Sequence, residues 1–194
     1  MIRASVVLGL ALLLSCLAPA MAAEEEEKAV DSPTNPVVVM KTSKGTIEIE
    51  LDPEKAPVTV KNFLRYVDEK HYDGTVFHRV IKGFMIQGGG FDAELNQKPV
   101  HESIKIEADN GLSNATGTIA MARTSDPNSA TAQFFINTVN NGRLDFQSKT
   151  QRGWGYTVFG KVTSGLDVVR AIEAVPTGPK GRFRSDVPME TVVI

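Results

Sequence analysis

One short segment of the chain places two hydrogen-bonding side chains in an otherwise apolar run. From Phe77 to Gly90 the sequence reads FHRVIKGFMIQGGG, with Arg79 and Gln87 among phenylalanine, valine, isoleucine and methionine. A buried guanidinium without a partner is costly, so Arg79 must either reach solvent or lie at the edge of an apolar hollow that supplies an acceptor. An apolar hollow with a few convergent polar groups is the usual form of a site for a small ligand or a peptide.

Polar residues also stand beside other apolar side chains of the chain. Gln133 directly precedes one apolar pair, and Arg79 and Gln87 flank another. Each apolar side chain could equally belong to an ordinary core, which is the commonest role for such residues. The recurring polar neighbours favour a binding site instead. The apolar side chains concerned are Phe84, Met85, Phe134, Phe135 and Leu144.

Residue types and spacing argue against several other chemistries. The histidines, His71, His78 and His101, have no ligand-like spacing, so we expect no metal and no cofactor. The glycines at 88–90 lack the Lys-Ser/Thr of a phosphate-binding loop, and they predict a sharp turn or bulge after a strand. There is no Gly-x-Ser-x-Gly motif of a hydrolase. The net charge of −2 gives no reason to expect a nucleic-acid partner.

Strands are the main elements that must position these residues. Alternation in GTIEIEL predicts a strand with one wet and one dry face, and it follows a hairpin turn around Gly45. One helix is predicted from Pro57 onward, and a second with Ser164 as its N-cap. METVVI is expected to close the chain as a strand. Strand-like runs follow one another without alternating helices, which predicts an antiparallel β-barrel or sandwich of about eight strands with two helices at its ends.

Four segments, in this order, resemble the signatures of the cyclophilins, the cyclophilin-type peptidyl-prolyl isomerases. They read FHRVIKGFMIQGGGF, GTIAMAR, SATAQFFIN and YTVFGKVTSGLDVV, and the similarity runs from Val37 to Ile194. The resemblance implies a mainly β fold, a closed eight-stranded antiparallel β-barrel capped by two α-helices. It also implies cis–trans isomerisation of Xaa-Pro peptide bonds without metal or cofactor. Because cyclophilin barrels are filled by side chains, the resemblance disfavours a barrel that holds a small apolar ligand.

The resemblance also implies a role for individual residues. Arg79 matches the catalytic arginine, and Gln87 matches the glutamine expected to orient it. The expected peptide-binding residues are Phe84, Met85, Ala122, Arg123, Gln133, Phe135, Leu144 and Tyr156. The expected partners are proline-containing peptides and unfolded exported proteins, bound by a monomer. The alternative is a module that binds proline-containing segments as a chaperone without useful turnover.

Two positions depart from the pattern of the family. Arg143 stands where eukaryotic members usually carry Trp and many bacterial ones Phe, and Tyr156 replaces a His at the rim of the pocket. Trp154 lies near in sequence but is offset from the missing Trp. Because that Trp is important for cyclosporin binding in the family, the resemblance implies weak or no cyclosporin binding here.

The N-terminus has the pattern of a secretory signal peptide over residues 1–22. Arg3 precedes the apolar run VVLGLALLLSCLA, and Ala20 and Ala22 are the small residues expected before a cleavage site. We therefore expect a periplasmic protein of the secreted Gram-negative branch of the family, and cleavage would remove the only cysteine. The alternative is a lipoprotein anchored at Cys16. Residues 23–36, AEEEEKAVDSPTNP, predict an acidic disordered linker before the isomerase domain at 37–194.

Overall fold

The computed structural model describes residues 35–194. The signal peptide expected over residues 1–22 and all but the last two residues of the expected linker lie outside this range. Strands dominate the described part of the chain. In chain order the elements are β1 (Val37–Thr42), β2 (Gly45–Leu51), α1 (Pro57–Asp68), β3 (Arg79–Ile81), β4 (Met85–Gly88), β5 (Thr118–Met121), β6 (Phe134–Asn137), a 3₁₀ turn (Gly142–Leu144), β7 (Val158–Ser164), α2 (Leu166–Glu173), β8 (Thr177–Lys180) and β9 (Phe183–Pro188).

Seven of the strands form one curled antiparallel sheet, and the other two form a separate hairpin. The order in the sheet is β1-β2-β7-β5-β6-β4-β3, and β8 pairs only with β9. The mainly β fold with two helices is confirmed. The expected closed ring of eight strands is wrong in its detail, since β1 and β3 remain the edges of an open, seven-stranded sheet.

Hydrogen bonds of the C-terminal residues Val192–Ile194 link the turn between β1 and β2 to the segment before β3. The N–H of Ser43, in the β1–β2 turn, donates to the carbonyl of Val193 at 2.9 Å. On the other side, the N–H of Ile194 donates to Thr75 at 2.8 Å, and Val193 forms an isolated bridge with Val76. The predicted closing strand METVVI is wrong, because within it only Val193 forms a β-bridge and the residues before it form no ladder.

The two helices begin where backbone geometry allows. Pro57 occupies the first turn of α1, which buries Val60 and Phe63 in the main core. The prediction that Ser164 is the N-cap of α2 is wrong. Ser164 ends β7. Gly165 caps the helix with φ +84°. Only glycine fits this position, because a Cβ there would collide with the carbonyl oxygen of Thr46. Among residues 35–194, no helix is long and apolar enough to cross a membrane.

Alternation along the strands gives the curled sheet two different apolar faces. In β6, Phe134 and Ile136 belong to the main core, whereas Phe135 belongs to a second and smaller cluster. Likewise in β5, Ile119 lies in the main core and Ala120 in the second cluster. Successive strand residues point to opposite faces, so the second cluster lies on the face of the sheet that the main core leaves free.

Candidate active site

One row of paired residues crosses five strands of the sheet and carries the candidate chemistry. Arg79 of β3 pairs with Gln87 of β4, and Gln87 pairs with Phe135 of β6. Phe135 pairs with Ala120 of β5, which pairs with Val158 of β7. Directly paired residues share a face, so an arginine and a glutamine stand at one end of a short apolar row.

The apolar end of this row is the centre of the second cluster, which we call the site cluster. Its buried members are Met85, Ala120, Phe135 and Val158, and its partly buried members are Ile81, Phe84, Leu112, Ala122, Leu144 and Tyr156. The edge of the Tyr156 ring meets the Phe135 ring at 5.5 Å between centroids and 83° between planes. Six of the eight predicted peptide-binding residues thus come together, and partial exposure of the outer ones leaves an apolar surface open to a ligand.

A chain of polar side chains runs along one edge of the site cluster. Arg79 is exposed, and its Nη1 donates to Oε1 of Gln87 at 3.4 Å. Gln87 Nε2 donates in turn to Oε1 of Gln133 at 2.9 Å. The backbone of Gln133 is also engaged, since its carbonyl accepts the N–H of Ala122 at 3.0 Å. Arg79, Gln87 and Gln133, each predicted from sequence, therefore form one connected group.

The glycines that end the FHRVIKGFMIQGGG segment make room for this group. Gly89 has φ +82°, a conformation that other residues rarely adopt. A Cβ on Gly90 would lie 2.5 Å from Cγ of Gln133 and 2.7 Å from its Nε2. The glycines thus serve backbone geometry, as predicted, and Gly90 in addition lets the side chain of Gln133 reach Gln87.

Two further arginines lie over the faces of aromatic rings of the site cluster. Arg123 is half-buried, with its guanidinium carbon 4.8 Å from the centre of the Tyr156 ring. Its Nε donates to the carbonyl of Gly155 at 2.8 Å, which ties the two loops together. Arg143 is exposed, and its guanidinium carbon lies 4.7 Å from the centre of the Phe84 ring.

Three buried asparagines beneath the site cluster were missed by the sequence reasoning. Asn137 Nδ2 donates to Oδ1 of Asn114 at 3.2 Å and to Oγ1 of Thr118 at 3.0 Å. Its own Oδ1 accepts from Nδ2 of Asn141 at 2.8 Å. Asn137 is fully buried, and Asn114 and Asn141 are nearly so. A polar residue that ends the apolar run FFIN was the one signal in the sequence.

These asparagines also hold the backbone of three residues of the site cluster. Asn141 Nδ2 donates to the carbonyl of Phe84 at 2.8 Å. Asn114 Nδ2 donates to the carbonyl of Leu144 at 3.1 Å and to that of Tyr156 at 3.4 Å. Buried amides that satisfy one another fix a unique arrangement, so this network sets the positions of the rim residues.

His78 takes no part in the site, unlike the adjacent Arg79. His78 is 3% exposed and packs on Phe91 at 4.5 Å between ring centroids. Burial lowers the pKa of His78 to about 4, and its Nδ1 has no hydrogen-bond partner among the described residues. Phe77 and Val80 lie in the main core, whereas Ile81 packs on the site cluster, because Arg79 and Ile81 are two residues apart in β3 and share one face of the sheet.

Other features of the described residues offer weaker candidates. A cavity of about 980 Å³ opens beside α1, but three of the polar side chains that line it pair with one another, as Arg65 and His101 do with Glu69 at 2.9 and 2.6 Å. Trp154 packs on Phe146, with ring centroids 5.4 Å apart. Within residues 35–194 there is no group of three or more His, Cys, Asp or Glu side chains that could hold a metal ion.

Comparison with known proteins agrees with this geometry. Residues 37–194 match the family model for cyclophilin type peptidyl-prolyl cis-trans isomerases. The chain is 58% identical over 157 residues to peptidyl-prolyl cis-trans isomerase cyp18 of Streptomyces antibioticus, covering 81% of this chain and 94% of that protein. It is 54% identical over 158 residues to peptidyl-prolyl cis-trans isomerase B of Escherichia coli, covering 81% and 96%.

A solved structure shows the same fold with a relevant dipeptide present. It is a Cryptosporidium parvum cyclophilin type isomerase, crystallised in the presence of the dipeptide Ala-Pro. The TM-score is 0.65 at 27% identity, covering 82% of this chain and 95% of that one. By its sequence, its fold and its relatives, the chain belongs to the cyclophilin-type peptidyl-prolyl cis-trans isomerases, enzymes that act on the peptide bond preceding proline.

Proposed function

We propose that the site cluster binds the proline of an Xaa-Pro peptide while Arg79 stabilises the twisted peptide bond. The observation that carries this proposal is the row from Arg79 through Gln87 to Phe135, which sets a guanidinium beside a separate apolar cluster on one face of the sheet. Neighbouring strands lie about 4.8 Å apart, so the backbone of Arg79 is about 10 Å from that of Phe135. A gap of this size can hold a proline whose ring lies on the apolar cluster and whose nitrogen points towards Arg79.

The reaction needs stabilisation of a rotated state and no bond breaking. Delocalisation of the nitrogen lone pair into the carbonyl gives the peptide bond a rotation barrier of about 18–20 kcal/mol. For Xaa-Pro the two isomers are close in energy, but they exchange only over tens to hundreds of seconds. Halfway through the rotation the lone pair localises on nitrogen, which then accepts a hydrogen bond that the planar bond cannot accept.

Arg79 can supply that hydrogen bond selectively in the rotated state. Its guanidinium is always charged and carries five N–H donors in a fixed plane. Gln87 accepts the hydrogen bond that Nη1 of Arg79 donates, so the other N–H groups of the guanidinium stay free to meet a substrate. Gln133 fixes Gln87 in turn, which reduces the reorganisation needed when the peptide binds. A donor that meets its acceptor only in the transition state lowers the barrier without tightening the ground state.

The apolar side chains would hold the proline ring while the preceding residue rotates. Met85 and Phe135 are buried and supply the floor, and Phe84, Leu144 and Tyr156 are partly exposed and supply the rim. The backbone around Ala122 and Arg123 would run beside the peptide. This surface also carries Arg143 where a large aromatic residue would extend it, and we expect weak or no cyclosporin binding for that reason.

We further propose that the clients are proteins exported to the periplasm. Support comes from the n-region, apolar run and small residues of the expected signal peptide at residues 1–22. Intact-mass measurement of the exported protein tests this assignment. Cleavage after Ala22 is the expected result, whereas a lipidated Cys16 at the new N-terminus would show the lipoprotein alternative to be correct.

An NMR exchange experiment separates the enzyme from a simple binding module. With the full chain present at about one hundredth of the peptide concentration, the cis and trans signals of an Ala-Pro tetrapeptide should exchange well within the tens of seconds of the uncatalysed reaction. Titration of the same peptide gives its affinity. Binding without faster exchange would contradict the proposed activity and identify a chaperone-like module.

A further inference from the structure

The rim of the site cluster carries three guanidinium groups from three separate parts of the chain. Arg79 stands at the β3 end, Arg123 beside Tyr156, and Arg143 on the 3₁₀ turn over Phe84. Arg79 and Arg143 are exposed and Arg123 is half-buried, so all three can influence a peptide that enters the site.

None of these arginines is neutralised by a carboxylate in the described part of the chain. The six ion pairs formed between residues 35–194 involve neither Arg79, Arg123 nor Arg143. Their hydrogen bonds go to neutral acceptors, namely Gln87 for Arg79 and backbone carbonyls for Arg123. The rim therefore keeps its positive charge.

Two carboxylates near this rim are already engaged elsewhere, and a third, the exposed Asp126 three residues after Arg123, accepts the backbone N–H of Asn128 at 2.9 Å. Oδ1 of Asp145 accepts the backbone N–H of Asn114 at 2.6 Å and its side-chain Nδ2 at 3.0 Å. Glu173 accepts the N–H of Gly83 at 2.8 Å and pairs with Arg170 at 3.0 Å. Lys82, in the turn between β3 and β4, is exposed and adds a fourth cation near Phe84.

Of these cations, Arg143 is the one we single out, because it lies over the ring of a rim residue. A guanidinium over the face of an aromatic ring is attracted to that ring, and because Arg143 is exposed, its N–H donors remain accessible to solvent. Phe84 is itself a rim residue of the site cluster, so Arg143 is held directly above the surface that would receive proline. The donors of Arg143 thus lie beside this surface, and no ion pair within the described residues occupies them.

We propose that this site selects peptides with an acidic residue adjacent to proline, and that Arg143 is a specificity-determining residue. The proposal rests on the proposed function, because it assumes that proline occupies the site cluster. An extended chain advances about 3.3–3.6 Å per residue, so the neighbours of a bound proline must cross the arginine-bearing rim. A carboxylate there meets unpaired donors, whereas an ammonium group meets three or four like charges.

Neutral-ended tetrapeptides test this selectivity by NMR exchange at pH 7. One series, acetyl-Ala-Xaa-Pro-Phe-amide, carries Glu, Gln or Lys before proline, and a second carries the same residues after it. In at least one series we expect kcat/KM for Glu to exceed that for Lys by about threefold to tenfold at low salt, with Gln between them. At about 1 M salt the Debye length falls to about 3 Å, so the ratio should approach one.

Arg143→Gln should reduce the Glu-to-Lys ratio by about twofold or more, while Arg143→Lys, which keeps the charge, should retain most of it. Lys61→Gln is the matched control, because Lys61 is exposed on α1, which packs against the main core on the other face of the sheet. It removes the same charge and should leave the ratio unchanged.

Equal rates for Glu and Lys peptides in both series would overturn the proposal while leaving the isomerase activity intact. A ratio that persists in Arg143→Gln would overturn the assignment to Arg143. If no peptide of any charge exchanges faster, the proposed function itself fails, which is a distinguishable result.

Discussion

Replacing Asn137 by alanine is the most direct perturbation of the network beneath the site. The side chain is fully buried and makes three hydrogen bonds, to Asn114, Thr118 and Asn141. Alanine removes all three at once. Oδ1 of Asn114 then loses its partner, whereas Asn141 still donates to the carbonyl of Phe84 and Thr118 to that of Ala115.

The expected loss of stability follows from what is left unsatisfied. A buried polar group without a partner costs about 1–3 kcal/mol, and a hydrogen bond that is simply lost contributes about 1 kcal/mol. One orphaned acceptor and two lost hydrogen bonds give a loss of about 3–5 kcal/mol in the free energy of unfolding. Urea denaturation measures it, provided that the dependence of this free energy on urea concentration stays the same as in the wild type.

The same substitution should also affect catalysis, because the network holds the rim. With Asn141 and Asn114 less constrained, the backbone of Phe84 and Leu144 loosens, and misplacement by even 1 Å is costly to a reaction that depends on position. We expect kcat/KM for an Ala-Pro peptide to fall by about tenfold, with a rise in KM as the larger part.

Asn140→Ala is the matched control for Asn137→Ala. Asn140 lies in the same segment, but it is exposed and bonds only to Thr116. It should cost about 1 kcal/mol and leave KM unchanged. Equal stability and equal KM in the two variants would refute the role given to the buried network.

Three further substitutions have defined outcomes. Phe135→Ala should lower kcat/KM by about tenfold or more while the chain still unfolds cooperatively, because Phe135 lies in the site cluster and not in the main core; a chain that no longer folds would indicate an ordinary core residue. Gly90→Ala should displace the side chain of Gln133 and lower kcat/KM several-fold with a smaller effect on stability, whereas unchanged kinetics would show that the bond between Gln87 and Gln133 does not matter. The folded pKa of His78, about 4, lies below the ordinary value of 6.5, so the unfolded chain binds the proton more tightly and stability is lost as pH falls from about 6.5 to 4. His78→Gln should remove about 3 kcal/mol of that pH dependence in urea denaturation at several pH values, and a profile parallel to the wild type would contradict the assignment.

Local patterns in the sequence predicted individual strands and helices better than they predicted how the edges of the sheet meet. Alternation in GTIEIEL and the position of Pro57 predicted β2 and α1, because period and proline geometry are properties of short segments. The open edge between β1 and β3 was not predictable in this way. It depends on how Val193 and Ile194 meet Ser43 and Thr75, which lie more than a hundred residues earlier in the chain.

The resemblance to a family predicted which side chains meet at the site, but not what supports them. Phe84, Met85 and Phe135 come together as expected, since the motifs that carry them are specific. The bond between Asn137 and Asn114 forms only when β6 packs against the loop before β5. No local pattern in the sequence predicts such a pair. For the same reason, no pattern predicts that Arg143 lies over the ring of Phe84, about sixty residues away in the chain.

The central claim, that Arg79 donates to the prolyl nitrogen during rotation, is tested most directly by Arg79→Ala. Arg79 is exposed, so the variant should fold as the wild type does. Losing one preorganised donor should lower kcat/KM for an Ala-Pro tetrapeptide by about 100-fold or more, chiefly through kcat. Arg79→Lys, which keeps the charge but not the planar donor group, should recover only part of the rate. Turnover of Arg79→Ala close to that of the wild type would contradict the mechanism.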